Sequence, residues 1–136
     1  MRRCPRGGLQ FEYPGQTMLS FNQSHLNELA SAREAHFEAQ LLLRLRQRHA
    51  ELLAQRSDDE LRAGIARMLR KARSFGLVYE LDLWRFMEFV MIYGMTLDER
   101  ADEPWIGATL RRSDIDGTVK MDFLDSIATF GARPTA

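Results

Sequence analysis

The chain has a single cysteine, Cys4, so it can form neither an intramolecular disulfide nor a cysteine zinc cluster. It has three histidines. His25 and His36, eleven residues apart, are separated by about 16 Å on a helix, too far to share a metal ion, and His49 has no local partner. Net charge is absent too. Nineteen basic residues balance nineteen acidic ones, which removes any general attraction to nucleic acid. The N-terminal stretch MRRCPRGGLQFEYPGQT has basic residues but no apolar run behind them, so it does not read as a signal peptide, and a cytoplasmic protein is expected. There is no phosphate loop, nucleophile elbow, HExxH or CxxC. An enzyme is not expected, and neither is a cofactor.

What is present is helical periodicity. Leu77–Gly94 is apolar almost all round, and its inner charges Asp82, Arg85 and Glu88 fall three residues apart, a single narrow stripe at 3.6 residues per turn. Such a helix must be wrapped by others. Its charges argue against a membrane span and read as local ion pairs. From Ser20, Leu26, Leu29, Ala30, Arg33, Phe37 and Leu41 recur at helical spacing on one face, with a break expected near His49. Ser57-Asp58-Asp59-Glu60 forms a capping box that launches a helix over Asp58–Phe75, closed by Gly76. Pro104 suits the first turn of a short helix, and a last helix is expected over Thr118–Phe130. No strand pair is evident. The fold class is therefore all-α, a compact bundle of five or six helices around 77–94. Residues 1–17 have no helical period and read as a flexible arm or a strand-like extension around Leu9–Tyr13, with Met18 an alternative start. Residues 18–130 read as one domain and 131–136 as a fraying tail.

Three features bear on binding. SDIDGTVKMDFLD has Asp114, Asp116 and Gly117 at EF-hand positions, but Arg112 and Phe123 occupy the first and last ligand positions, which argues against calcium. Residues 1–73 carry thirteen basic and eight acidic groups, and residues 74–136 carry six and eleven. This asymmetry either neutralises itself inside the fold or orients a protein partner. In LLLRLRQRHAELLAQ the apolar stripe widens, because Leu42 and Leu43 point to opposite flanks. Leu42, Leu43, Arg44 and Arg48 are the candidate partner-binding residues, an apolar centre with an arginine rim. Core packing is the competing account.

Over residues 18–130 the chain resembles a family of small helical proteins encoded in bacterial type VI secretion clusters, near VgrG, PAAR and effector genes. The resemblance is carried by Ala32-Arg33 to Phe37, Leu41–Arg46, Ser57–Ile65, Lys71–Leu77, Glu80–Phe89, Tyr93–Met95, Pro104–Leu110 and Lys120–Leu124. Met95-Thr96-Leu97-Asp98 stands where members often have a phenylalanine–aspartate pair. The resemblance implies an adaptor or co-chaperone that helps load an effector. Its partner would be an effector chaperone, an effector or a spike component. One alternative is an immunity protein using Asp98–Glu103 against a cognate toxin. Another is a nucleic-acid binder using Arg62, Arg67, Arg70, Lys71 and Arg73, disfavoured because that strip lacks stacking aromatics. Homodimerisation is compatible with each.

Overall fold

The computed structural model describes the backbone of residues 5–131 and the side chains of residues 23–131. Six α-helices follow in order: α1 (Pro5–Arg48), α2 (Ala50–Leu53), α3 (Asp58–Ser74), α4 (Glu80–Tyr93), α5 (Pro104–Leu110) and α6 (Gly117–Phe130). A single 3-10 turn, Leu97–Glu99, lies between α4 and α5. No strand occurs among the described residues. The all-α class holds, and no described helix is long and apolar enough to cross a membrane.

The chain divides into two compact units, Met1–Phe37 and Glu38–Ala136, whose boundary falls inside α1. In the first unit, residues 5–17 are helical, where an irregular arm or a strand-like extension is expected. Pro5 sits at the first helical turn, where its missing N–H is one of the unpaired donors, whereas Pro14 lies inside the helix and has no N–H to give the preceding turn, so local propensity does not account for this part of α1. Leu26 and Leu29, expected on a buried face, are exposed.

The second unit is the helical bundle. α3 starts where the capping box predicts: Ser57 Oγ accepts from Glu60 N at 3.1 Å, and Glu60 Oε1 accepts from Ser57 N at 2.9 Å. It ends at Gly76, whose φ of +90° suits glycine. α1 ends at Arg48, and His49 separates it from α2, as the periodicity predicts. The central helix is α4, which buries Leu83, Phe86, Met87, Phe89 and Val90. It packs against α3, α6 and the 3-10 turn. Leu41 and Leu45 of α1, Leu69 of α3, Leu110 of α5 and Met121 and Leu124 of α6 complete the core.

The charged stripe of α4 does not face water. Asp82 is 2% exposed, accepting from Thr118 Oγ1 at 2.5 Å and from Arg85 Nη1 at 3.1 Å. Arg85 continues to Asp122 and Asp125 of α6, at 2.8 and 2.5 Å. Burial opposes the Arg85 charge, but hydrogen bonds to these two aspartates outweigh it and hold the guanidinium pKa above its ordinary value. The stripe is thus a polar seam between helices.

Candidate functional site

Within the second unit, the last turns of α1 meet the outward side of α4. Residues four apart share a helical face, so Arg44 and Arg48 both point towards α4. The Arg44 guanidinium lies 5.3 Å from the Trp84 ring centroid, a cation–π contact. One turn on, Arg48 Nε donates to Glu88 Oε2 at 2.7 Å. His49 Nε2 lies 3.0 Å from the other carboxylate oxygen, so Glu88 bridges the break between α1 and α2. Glu88 is held by residues far off in sequence and not by its helical neighbour Arg85.

Beside these contacts, α4 and α6 enclose a cleft of about 330 Å³, lined by Arg48, Trp84, Ile92, Tyr93, Asp125 and Thr129 among others. The floor is rigid. Tyr93 stacks on Phe89 at 5.7 Å, meets Trp105 edge-on at 5.9 Å, and is covered by Arg100 at 5.8 Å. The rim is mixed and open to solvent, with Ile92 67% exposed and Arg48 and Thr129 exposed beside it.

The four sequence candidates separate. Leu43 is 61% exposed, and Arg44 and Arg48 are exposed and anchored to Trp84 and Glu88. Leu42, at 8% exposed, belongs to the protein's own packing, because one residue turns the helix by about 100° and carries it inward. Trp84, Glu88 and Ile92 join the face, although the sequence reading singled none of them out for binding. Ile92 carried no such signal, since an isoleucine on a helix apolar almost all round reads as core.

Other candidates have internal roles. In the acidic segment, Asp98 is buried between Lys71 Nζ at 2.5 Å and Arg111 Nη2 at 3.3 Å. Lys71 Nζ lies off the hydrogen-bonding direction there and donates instead to the Met95 carbonyl at 3.1 Å. Asp102 is clasped by Arg100, whose hydrogen bond lowers the carboxyl pKa, and Glu103 accepts from the Trp105 indole. Glu99 and Asp102 of this segment remain exposed. Of the EF-hand-like residues, Asp116 caps α6 by accepting from Val119 N at 2.9 Å, and Asp114 accepts from Arg112. No cluster of His, Cys, Asp or Glu suited to a metal ion occurs among the described residues.

No protein-family model, curated protein or solved structure matches the chain.

Proposed function

We propose that this protein is a non-enzymatic adaptor or co-chaperone, of the kind its sequence resembles in type VI secretion clusters. It would act by stoichiometric contact with an effector chaperone, an effector or a spike component. The observation that carries this reading is the α1–α4 face. Arg44 lies over Trp84 and Arg48 pairs with Glu88, while Leu43 stands exposed on α1 and Ile92 stands exposed beside a cleft. Tryptophan and arginine held in place beside desolvatable apolar groups are the composition of energetic anchors in protein interfaces, because little side-chain entropy is left to lose on binding.

A tagged pull-down from the native bacterium, read by mass spectrometry, tests it. Recovery of a secretion chaperone or spike protein supports the adaptor. Recovery of a toxin alone would replace it with an immunity protein. A partnerless protein of defined mass counts against both. Leu43→Asp should abolish complex formation while leaving helical circular dichroism and melting unchanged, since Leu43 contributes little to the core.

A further inference from the structure

The outer face of α3 carries charge of one sign. Between Glu60 and Glu80 the chain has no acidic residue, while Arg62, Arg67, Arg70, Lys71 and Arg73 all fall there. At about 100° per residue the four arginines share an arc of about 140°. That arc lies away from Ile65, Met68, Leu69 and Ala72, which α3 buries, and all four arginines are exposed. Ala63 and Ala66 lie between them, so the arc holds no aromatic or branched apolar side chain.

Few of these cations are neutralised within the fold. Lys71 leaves the set, because its ammonium turns to the Met95 carbonyl and to Asp98. Arg73 is already engaged. Arg62 reaches Asp59 at 3.7 Å, but that carboxylate is 96% exposed and the pair is screened by water. The other acids of the first turn are committed, Asp58 to Arg46 and Glu60 to the Ser57 amide. Arg67 and Arg70 hold no hydrogen bond, ion pair or ring contact among the described residues. They are i, i+3 neighbours, where like charges repel, and neither has an acidic residue three or four positions away. The helix macrodipole favours cations in the last turn, where Lys71 and Arg73 stand, and does not account for Arg62 in the second turn.

We propose that this face docks an acidic helix of a partner protein, whose carboxylates meet Arg62, Arg67 and Arg70. An anion set between Arg67 and Arg70 relieves their repulsion, and each guanidinium presents a planar fork that matches a carboxylate. Arg62 and Arg70 are about 12 Å apart along α3, the same span as carboxylates at i, i+4 and i+8 of a second helix. Arginine clusters that read acidic motifs are a recurring mode of recognition. Nucleic acid fits less well, because the strip lacks stacking aromatics and the chain as a whole carries no net charge to attract a polyanion. The inference stands on α3 alone and goes beyond the adaptor reading, whose face lies on α1 and α4.

The test uses the full-length protein and three alanine-based helical peptides, with binding followed by fluorescence anisotropy at low salt. One peptide has glutamates at i, i+4 and i+8, the second has glutamines there, and the third spreads its three glutamates around the helix. The striped glutamate peptide should bind about tenfold more tightly than the glutamine peptide and about threefold more tightly than the spread one. Added salt should weaken it. Arg70→Glu should erase the preference and Arg70→Gln should reduce it, with helical circular dichroism and melting unchanged. Arg33→Glu makes the same charge change at an exposed site on α1 and should leave the preference intact. Equal binding of the striped peptide and either of the others overturns the inference. So do equal losses from Arg33→Glu and Arg70→Glu, which would mark an effect of net charge. A DNA duplex that binds more tightly than the striped peptide, and is released by Arg70→Glu, overturns it in favour of nucleic acid. Leu43→Asp should leave peptide binding unchanged, and loss of binding there also counts against a separate surface. If no peptide binds while Leu43→Asp abolishes a native complex, the adaptor reading survives and this inference falls.

Discussion

Lys120 Nζ donates a hydrogen bond to the Leu110 carbonyl at 2.8 Å, tying the interior of α6 to the C-terminal end of α5. The same ammonium donates to Phe75 O, the C-cap of α3, at 2.7 Å. Two helix ends, each with carbonyls lacking an intrahelical partner, converge on one cation that is only 5% exposed. Lys120→Met keeps the stem's packing but strands the buried Leu110 carbonyl. The loss should be about 1–3 kcal/mol, read as a lower urea midpoint with unchanged slope.

Burial also lowers the Lys120 pKa from 10.5, against a smaller opposing pull from Asp114. As pH rises, the folded chain therefore releases this proton before the unfolded chain does. Where the unfolded state holds more protons, stability rises with pH. In the window just below 10.5, the wild-type protein should gain stability relative to Lys120→Met. Urea titrations of the two proteins between pH 8 and 10.5 check the sign, and a difference that shrinks as pH rises would refute it.

Two glycines inside or at the start of helices should respond oppositely to alanine. A Cβ on Gly117 would lie 2.5 Å from Gly76 O and 2.8 Å from Leu77 Cα, both backbone atoms, so α6 could not stay seated against the α3–α4 turn. Overpacking of that kind costs about 1–3 kcal/mol, more than helix propensity returns. A Cβ on Gly64 meets one flexible methyl, so Gly64→Ala should stabilise by about 0.5–1 kcal/mol. Thermal melts should move down for Gly117→Ala and up for Gly64→Ala.

The α3 cap gives a local prediction. Ser57→Ala removes the acceptor for Glu60 N and should cost about 1 kcal/mol. Glu60 has its carboxyl pKa lowered, chiefly by the hydrogen bond from the Ser57 amide. A carboxyl lowered in the folded state stabilises above its unfolded pKa and loses that contribution as pH falls through the folded value. The acid side of the stability profile should therefore be shallower in Glu60→Gln, with the difference confined below pH 4.5.

What could be read from sequence was what local chemistry determines. The Ser57 box, Pro104 at the start of α5, Gly76 after α3 and the break at His49 each depend on residues within one turn, and each is where the sequence puts it. The apolar breadth of 77–94 identified the central helix for the same reason. Long-range pairing was not legible. Asp82, Arg85 and Glu88 are evenly spaced, yet Asp82 is buried under Thr118, Arg85 turns to α6, and Glu88 turns to the end of α1. Nothing in a 3.6-residue period distinguishes these fates. Leu42 and Leu43 were equally plausible binding residues until the packing of α1 took one and left the other outside.

The three aspartates around Arg85 should not be equivalent. Asp122 is 62% exposed at its side chain, where water screens the pair and the entropy of holding two side chains offsets most of the attraction. Asp122→Ala should therefore cost at most about 1 kcal/mol. Asp82 has lost its water, and its two oxygens are matched by Thr118 Oγ1 and Arg85 Nη1. Removing it leaves a hydroxyl and part of a guanidinium facing a hole. Breaking a buried pair from one side costs about 3–5 kcal/mol, but Arg85 keeps Asp125, so about 2–3 kcal/mol is the expected loss for Asp82→Ala. Asp82→Asn retains the shape and can still accept from Thr118, and it should recover part of that loss. Urea denaturation of the three variants ranks them directly. A ranking with Asp122→Ala as the most damaging would mean that the seam is held from the α6 surface and not from its buried end.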